Sequence, residues 1–197
     1  IHVFVLPGLI PTDEIQEVVE YVISPDNISS ADISIDSETG EVTILSKDNL
    51  FETAVEIEIT ANDHSGTENG GIEVASQSFL LDITKVNDAP SFIEGEDQSI
   101  LEDAGEISIP WATNISRGPS DEINDDLFFE VISNNDNLFV PRYCPHFDEE
   151  TPLRTQIACI DSDGILQYTP KENINGSAEL TIKLFDSGGT INGGVDS

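Results

Sequence analysis

Asp63–Glu73 reads DHSGTENGGIE, and Asp186–Asp196 reads DSGGTINGGVD. The two stretches share Asp, Gly, Thr, Asn, Gly and Gly in the same order, 123 residues apart. Upstream, VEIEITAND (from Val55) aligns with AELTIKLFD (from Ala178) at that same spacing. Further upstream, DEIQEVVEYVIS (from Asp13) aligns with DEINDDLFFEVIS (from Asp121), now 108 residues apart. The difference, 123 − 108 = 15, is the length of an insertion in the second copy, and it falls within PRYCPHFDEETPLRTQIAC. Self-similarity of this kind marks tandem structural units. One repeat is expected over 1–88. A second is expected over 89–197, with a Cys-flanked insertion at about 141–160.

Working outward, the segments between the shared turns alternate apolar and polar residues. EVTIL (Glu41–Leu45), VEIEITA (Val55–Ala61), SFLLDITKV (Ser78–Val86), LFFEVIS (Leu127–Ser133) and AELTIKLF (Ala178–Phe185) are rich in β-branched and aromatic residues and bounded by Gly, Asn, Asp or Ser. Period-two alternation is the mark of half-buried strands. PTDEIQEVVEYV could cap a helix, but its partner in the second copy reads as a strand, which favours a strand here too. About seven strands in roughly 110 residues indicate an all-β fold of two tandem β-sandwiches of immunoglobulin-like size. The first repeat lacks a counterpart of PSFIEGEDQSILEDAG and the second one of SQSFLLDITKVNDAP. Both sandwiches are therefore expected to be incomplete at the chain ends, completed by more of a longer polypeptide or by strands of another chain.

Charge narrows the function. Thirty-nine acidic residues against seven basic ones give a net charge of −32. That excludes nucleic acid and anionic membrane as partners, since both need a positive face. No apolar run approaches the roughly 20 residues of a membrane-spanning helix. The acids are interleaved with apolar strands, which argues against disorder. Solubility in a salty habitat and cation binding remain. Cys144 and Cys159 flank the insertion, and a disulfide closing its neck is expected, because a long insertion orders more readily when closed.

KVNDAPSF (Lys85–Phe92) joins the repeats. Calcium takes six to eight oxygen ligands from carboxylates, amides and carbonyls. Acids stand at three places that a junction can collect: DNLFE (Asp48–Glu52), the linker residues Asn87 and Asp88, and Asp121, Glu122, Asp125, Asp126 and Asp186 of the second repeat. Unneutralised, such a cluster repels itself. Asp63 and Asp186 precede Gly-rich turns, where Asp commonly serves the turn alone. Phe92 and Trp111 are expected in the core.

VNDAPSF resembles the inter-domain motif of the cadherin superfamily, and IDSETGEVTI is similar to the Asp-X-X-Thr-Gly stretch of those domains. With LQYTP, NGSAELTI and DSGGTINGGVD, nearly the whole chain resembles the cadherin-like tandem repeats of very large bacterial and algal surface proteins. The resemblance implies calcium ligands at Glu52, Asn87, Asp88, Asp121 and Asp186. Asp63, Glu122, Glu102 and Asp103 join them as candidates, the last two serving a further junction. Lys85 and Ala89 replace oxygen-bearing residues of the family motif, which implies fewer or weaker ions. The function so implied is a calcium-stiffened extracellular module of a long adhesive or structural protein, with neighbouring repeats or other copies in a filament or surface array as partners. Sequons at Asn27, Asn114 and Asn175 are potential N-glycosylation acceptors. No catalytic motif is present, and no enzyme is expected. A carbohydrate- or other ligand-binding module of a secreted protein is the alternative.

Overall fold

The structure, a computed structural model, describes residues 2–4, 19–145 and 153–197. The described residues are all-β, with only short 3-10 turns between strands. The chain forms two compact units, Ile1–Lys85 and Val86–Ser197. The boundary lies three residues before the one expected from the repeat. The physical reason is that Asn87 and Asp88 are hydrogen-bonded to the second unit.

In the first unit, β1 (His2–Phe4), β4 (Glu41–Ser46) and β3 (Ala31–Ile35) form one antiparallel sheet, while β2 (Glu20–Ser24), β5 (Glu52–Asn62) and β6 (Val74–Ile83) form another. Residues at period two point inward from both: Tyr21, Ile23, Ile57, Ile59 and Leu81 from one sheet, and Ala31, Ile33, Val42 and Ile44 from the other. They make one shared core, the arrangement of a β-sandwich. Glu20–Ser24 is a strand; residues 11–18 of the helical candidate lie outside the described residues.

The second unit contains β7 (Ser91–Ile93), β8 (Ile107–Pro110), β9 (Thr113–Ser116), β10 (Leu127–Ser133), β11 (Arg142–Pro145), β12 (Leu153–Gln156), β13 (Ala158–Ile160), β14 (Ile165–Tyr168) and β15 (Leu180–Asp186). Its pairings are β13-β14-β8, β10-β15, β7-β9 and β11-β12. Phe129, Val131, Ala158, Ile160, Leu166, Tyr168 and Leu184 form its core, with Phe92 and Trp111 packed against it. Phe92 meets Phe129 edge-on at 5.2 Å, and Trp111 Nε1 donates to the Glu96 carbonyl.

The two spacings read from the sequence recur as strand register. Tyr21 pairs with Ala61 in the first unit, and Phe129, 108 residues on, pairs with Leu184, 123 residues on. The Asp-led hairpin turns also correspond. Asp36 Oδ1 accepts the amides of Glu38 and Thr39, and Gly40 N–H donates to the Asp36 carbonyl. In the second unit Asp161 Oδ1 accepts Asp163 and Ile165 amides, and Gly164 N–H donates to the Asp161 carbonyl.

The expected insertion is a hairpin at its neck. Arg142–Pro145 pairs with Leu153–Gln156, and residues 146–152 lie outside the described residues. Cys144 and Cys159 are disulfide-bonded, their Cα atoms 5.4 Å apart. Cys159 sits in β13, a core strand, so the bond ties the hairpin to the core. The Gln156 side-chain amide accepts the Val131 N–H at 2.5 Å and donates to the Phe129 carbonyl at 3.2 Å. It completes the edge of β10 as a neighbouring strand would.

Candidate metal centre

Three segments far apart in sequence converge in the second unit. The Asn87 amide Nδ2 donates to Asp186 Oδ1 and to the Val195 carbonyl, both at 2.8 Å. Val195 N–H returns a bond to the Asn87 carbonyl at 3.0 Å. Asp88 N–H donates to Glu122 Oε1 at 2.8 Å, and Asp126 N–H to Ser187 Oγ at 2.9 Å. The linker, the acidic turn after Pro119 and the Gly-rich loop after β15 are thus stitched together.

Each segment is held by its own local chemistry. Asp186 Oδ1 also accepts the Gly188 N–H, closing an Asx turn of the kind Asp favours before Gly. The loop then turns through Gly189 and Gly193, both at positive φ, conformations in which glycine carries no steric penalty. The acidic turn is a single 3-10 turn, Ser120–Glu122, with Asp125 N–H donating to the Glu122 carbonyl. Arg117 Nε donates to the Asp125 carbonyl.

Burial gives the centre its electrostatic character. Glu122 is 0% exposed, Asp186 1% and Asn87 7%. Asn87 Oδ1 and Asp186 Oδ2 are buried and accept no hydrogen bond. A buried oxygen without a donor costs about 1–3 kcal/mol, more when charged, and a cation is one group that could offset that cost for the two. Two glycines keep the space tight. A Cβ on Gly188 would stand 1.8 Å from Asn87 Oδ1, and one on Gly118 would stand 1.9 Å from Glu122 Oε2 and 3.6 Å from the Asp88 carbonyl oxygen. The donor set is carboxylate, amide and carbonyl oxygen, which suits a hard cation such as calcium. Among the described residues no group of three or more His, Cys, Asp or Glu side chains that could hold a metal ion is present; a cation here would need the Asn87 amide oxygen beside the Asp186 carboxylate.

The structure joins Asn87 to Asp186 through their side chains, whereas Asp88, itself exposed, meets Glu122 only through its backbone N–H; Asp121 is on the same turn as Glu122. In the first unit, Glu52 opens β5 and Asp63 follows its last residue, roughly 36 Å apart at strand rise, so they cannot share one ion. Glu52 Oε2 accepts the Ser30 hydroxyl at 2.7 Å and the Ser30 amide at 3.3 Å. The Ser30 hydroxyl, then that of Ser29, holds the Glu52 carboxyl below its ordinary pKa. Asp63 Oδ1 accepts the Ser65 amide, and that bond, then the Ser65 hydroxyl, lowers its pKa likewise. Both have local structural work that Asp186 shares only in its Asx turn. Asp103 Oδ1 accepts the Asn173 amide. Asn27, Asn114 and Asn175 are all exposed.

Sequence reasoning did not single out Val195, Gly118 or Gly188. The repeated Gly-Gly of the loop was the available signal for Val195, whose amide and carbonyl follow it. Nothing in RGPSDE sets Gly118 apart from an ordinary turn glycine. Comparisons with protein-family models, with curated proteins and with solved structures find no match. Among the described residues no helix is long and apolar enough to cross a membrane.

Proposed function

We propose that the chain is a calcium-stiffened extracellular module of two tandem cadherin-like β-sandwich repeats, part of a long adhesive or structural protein. The observation that carries this reading is the buried pair Asn87–Asp186, with one oxygen on each lacking a donor. Asn87 belongs to the linker and Asp186 to the end of β15. An ion accepted there would offset buried negative charge and fasten the linker to the unit that follows it. Asn87, Asp88, Glu122 and Asp186 would hold it, with Asp121 as a further oxygen source. The register shared by the two units supports the tandem-repeat reading, and the disulfide is compatible with an extracellular location. Neighbouring repeats of the same protein, or other copies in an array, are the partners that follow.

Thermal unfolding in calcium and in chelator tests it. Saturation at one hundred to one thousand times the dissociation constant should stabilise the second unit by about 3–4 kcal/mol. Equal melting under both conditions rejects the reading.

A further inference from the structure

The second unit carries a covalent tie, Cys144–Cys159, and those are the two cysteines of the chain. The first unit has none, but three reactive groups meet at the open end of its β3–β4 hairpin. Lys47 Nζ donates to Asn27 Oδ1 at 3.2 Å and to the Ile28 carbonyl at 3.1 Å, and it pairs with Asp32 Oδ1 at 2.9 Å. The backbone places them there. Ala31 pairs with Ser46 and Asp32 with Leu45, and Lys47 N–H donates to the Ser30 carbonyl at 2.8 Å. Asn27 bridges Asp32, and Ile28 N–H donates to the Ala31 carbonyl. Asn27 therefore stands just before β3, Lys47 just after β4, and Asp32 beside both.

Exposed ion pairs contribute little to stability. What sets this one apart is the primary amide next to the amine. An amine, a carbonyl carbon and a carboxylate able to move a proton are held together by one fold. Holding them so makes acyl transfer an intramolecular step. Lys47 is half-buried, and its three oxygen partners restrict where Nζ can go; Asp32 is exposed, which leaves a way out for ammonia.

We propose that Lys47 and Asn27 form an intramolecular isopeptide bond, with Asp32 as the acid–base group. Lys47 Nζ gives one proton to the Asp32 carboxylate and attacks Asn27 Cγ, and a C–N bond forms. Asp32 returns that proton to Nδ2, the Cγ–Nδ2 bond breaks, and ammonia leaves, taking the second proton of the amine as ammonium. A lysine ammonium and a primary amide thus become a secondary amide and an ammonium ion. No oxidant and no other reactant is consumed. The bond closes the hairpin at its open end, across a separation of 20 residues. It gives the first unit the kind of tie that the disulfide gives the second. Asn27 is also a sequon acceptor, and a glycan would use the same Nδ2.

Mass spectrometry of the intact, reduced protein tests it. The expected mass is one ammonia below that of the sequence, and a digest should contain a branched peptide joining Asn27 to Lys47. Lys47→Arg keeps the charge but not the primary amine, and should restore the full mass. In freshly synthesised protein followed over time at mildly alkaline pH, Asp32→Asn should slow the loss about a hundredfold or more. Full sequence mass in the unaltered chain after such incubation overturns the proposal. So does a glycan on Asn27, an ammonia loss that survives Lys47→Arg, or a branched peptide joining other residues. Equal rates with Asp32 and with Asp32→Asn reject the part given to that carboxylate.

Discussion

At the scale of single residues, the candidate centre is set by what glycine leaves out. Gly188 gives Asn87 Oδ1 its space, whereas Gly189 has nothing within 4 Å of where a Cβ would stand and instead needs its φ of +79°. The two should therefore fail differently. Gly188→Ala overpacks the Asn87 pocket, and overpacking costs about 1–3 kcal/mol. It should also blunt any response of the second unit to calcium. Gly189→Ala meets only backbone strain, about 1–2 kcal/mol, and should leave that response intact. Calorimetry of both variants, with and without calcium, distinguishes them; identical calcium responses would contradict the role given to Asn87. Ser65 stands at the Gly188 position of the first unit, so the loop there offers no equivalent space for an asparagine.

At the scale of elements, much of the fold was legible because its signals are local. Period-two alternation located β4, β5, β10 and β15, and the two repeat spacings reappear as pairing register. The hairpin β11–β12 was not legible: RYCP and LRTQ are short and lack alternation, and their pairing depends on the disulfide and on Gln156 reaching β10. For the candidate site, Asn87, Asp88, Glu122 and Asp186 were visible as oxygen-rich residues around a Pro-stiffened linker. The retention of Glu52 by Ser30 was not, since it needs a contact across 22 residues. The disulfide closes 15 residues, for which chain entropy gives about 3 kcal/mol. Replacing both cysteines by serine should lower the unfolding free energy of the second unit by about that amount and leave the first unit's transition in place. Coincident loss of both transitions would show that the units do not melt independently.

At the scale of the whole molecule, the charge of −32 is carried by a chain whose two units each bury an apolar core of their own. The disulfide has a consequence for behaviour under tension. When the ends of the chain are drawn apart, residues 145–158 cannot add to its length, because force passes directly from Cys144 to Cys159. Fifteen residue steps at about 3.4 Å, less the 5.4 Å between the two Cα atoms, withhold about 45 Å of contour. Single-molecule pulling should record an unfolding step for the second unit that is shorter by this amount, and restored by a thiol reductant. A step of full length before reduction would mean that the bond does not carry the load. The bond therefore acts as a stop on extension, sparing the hairpin while the strands around it are stretched.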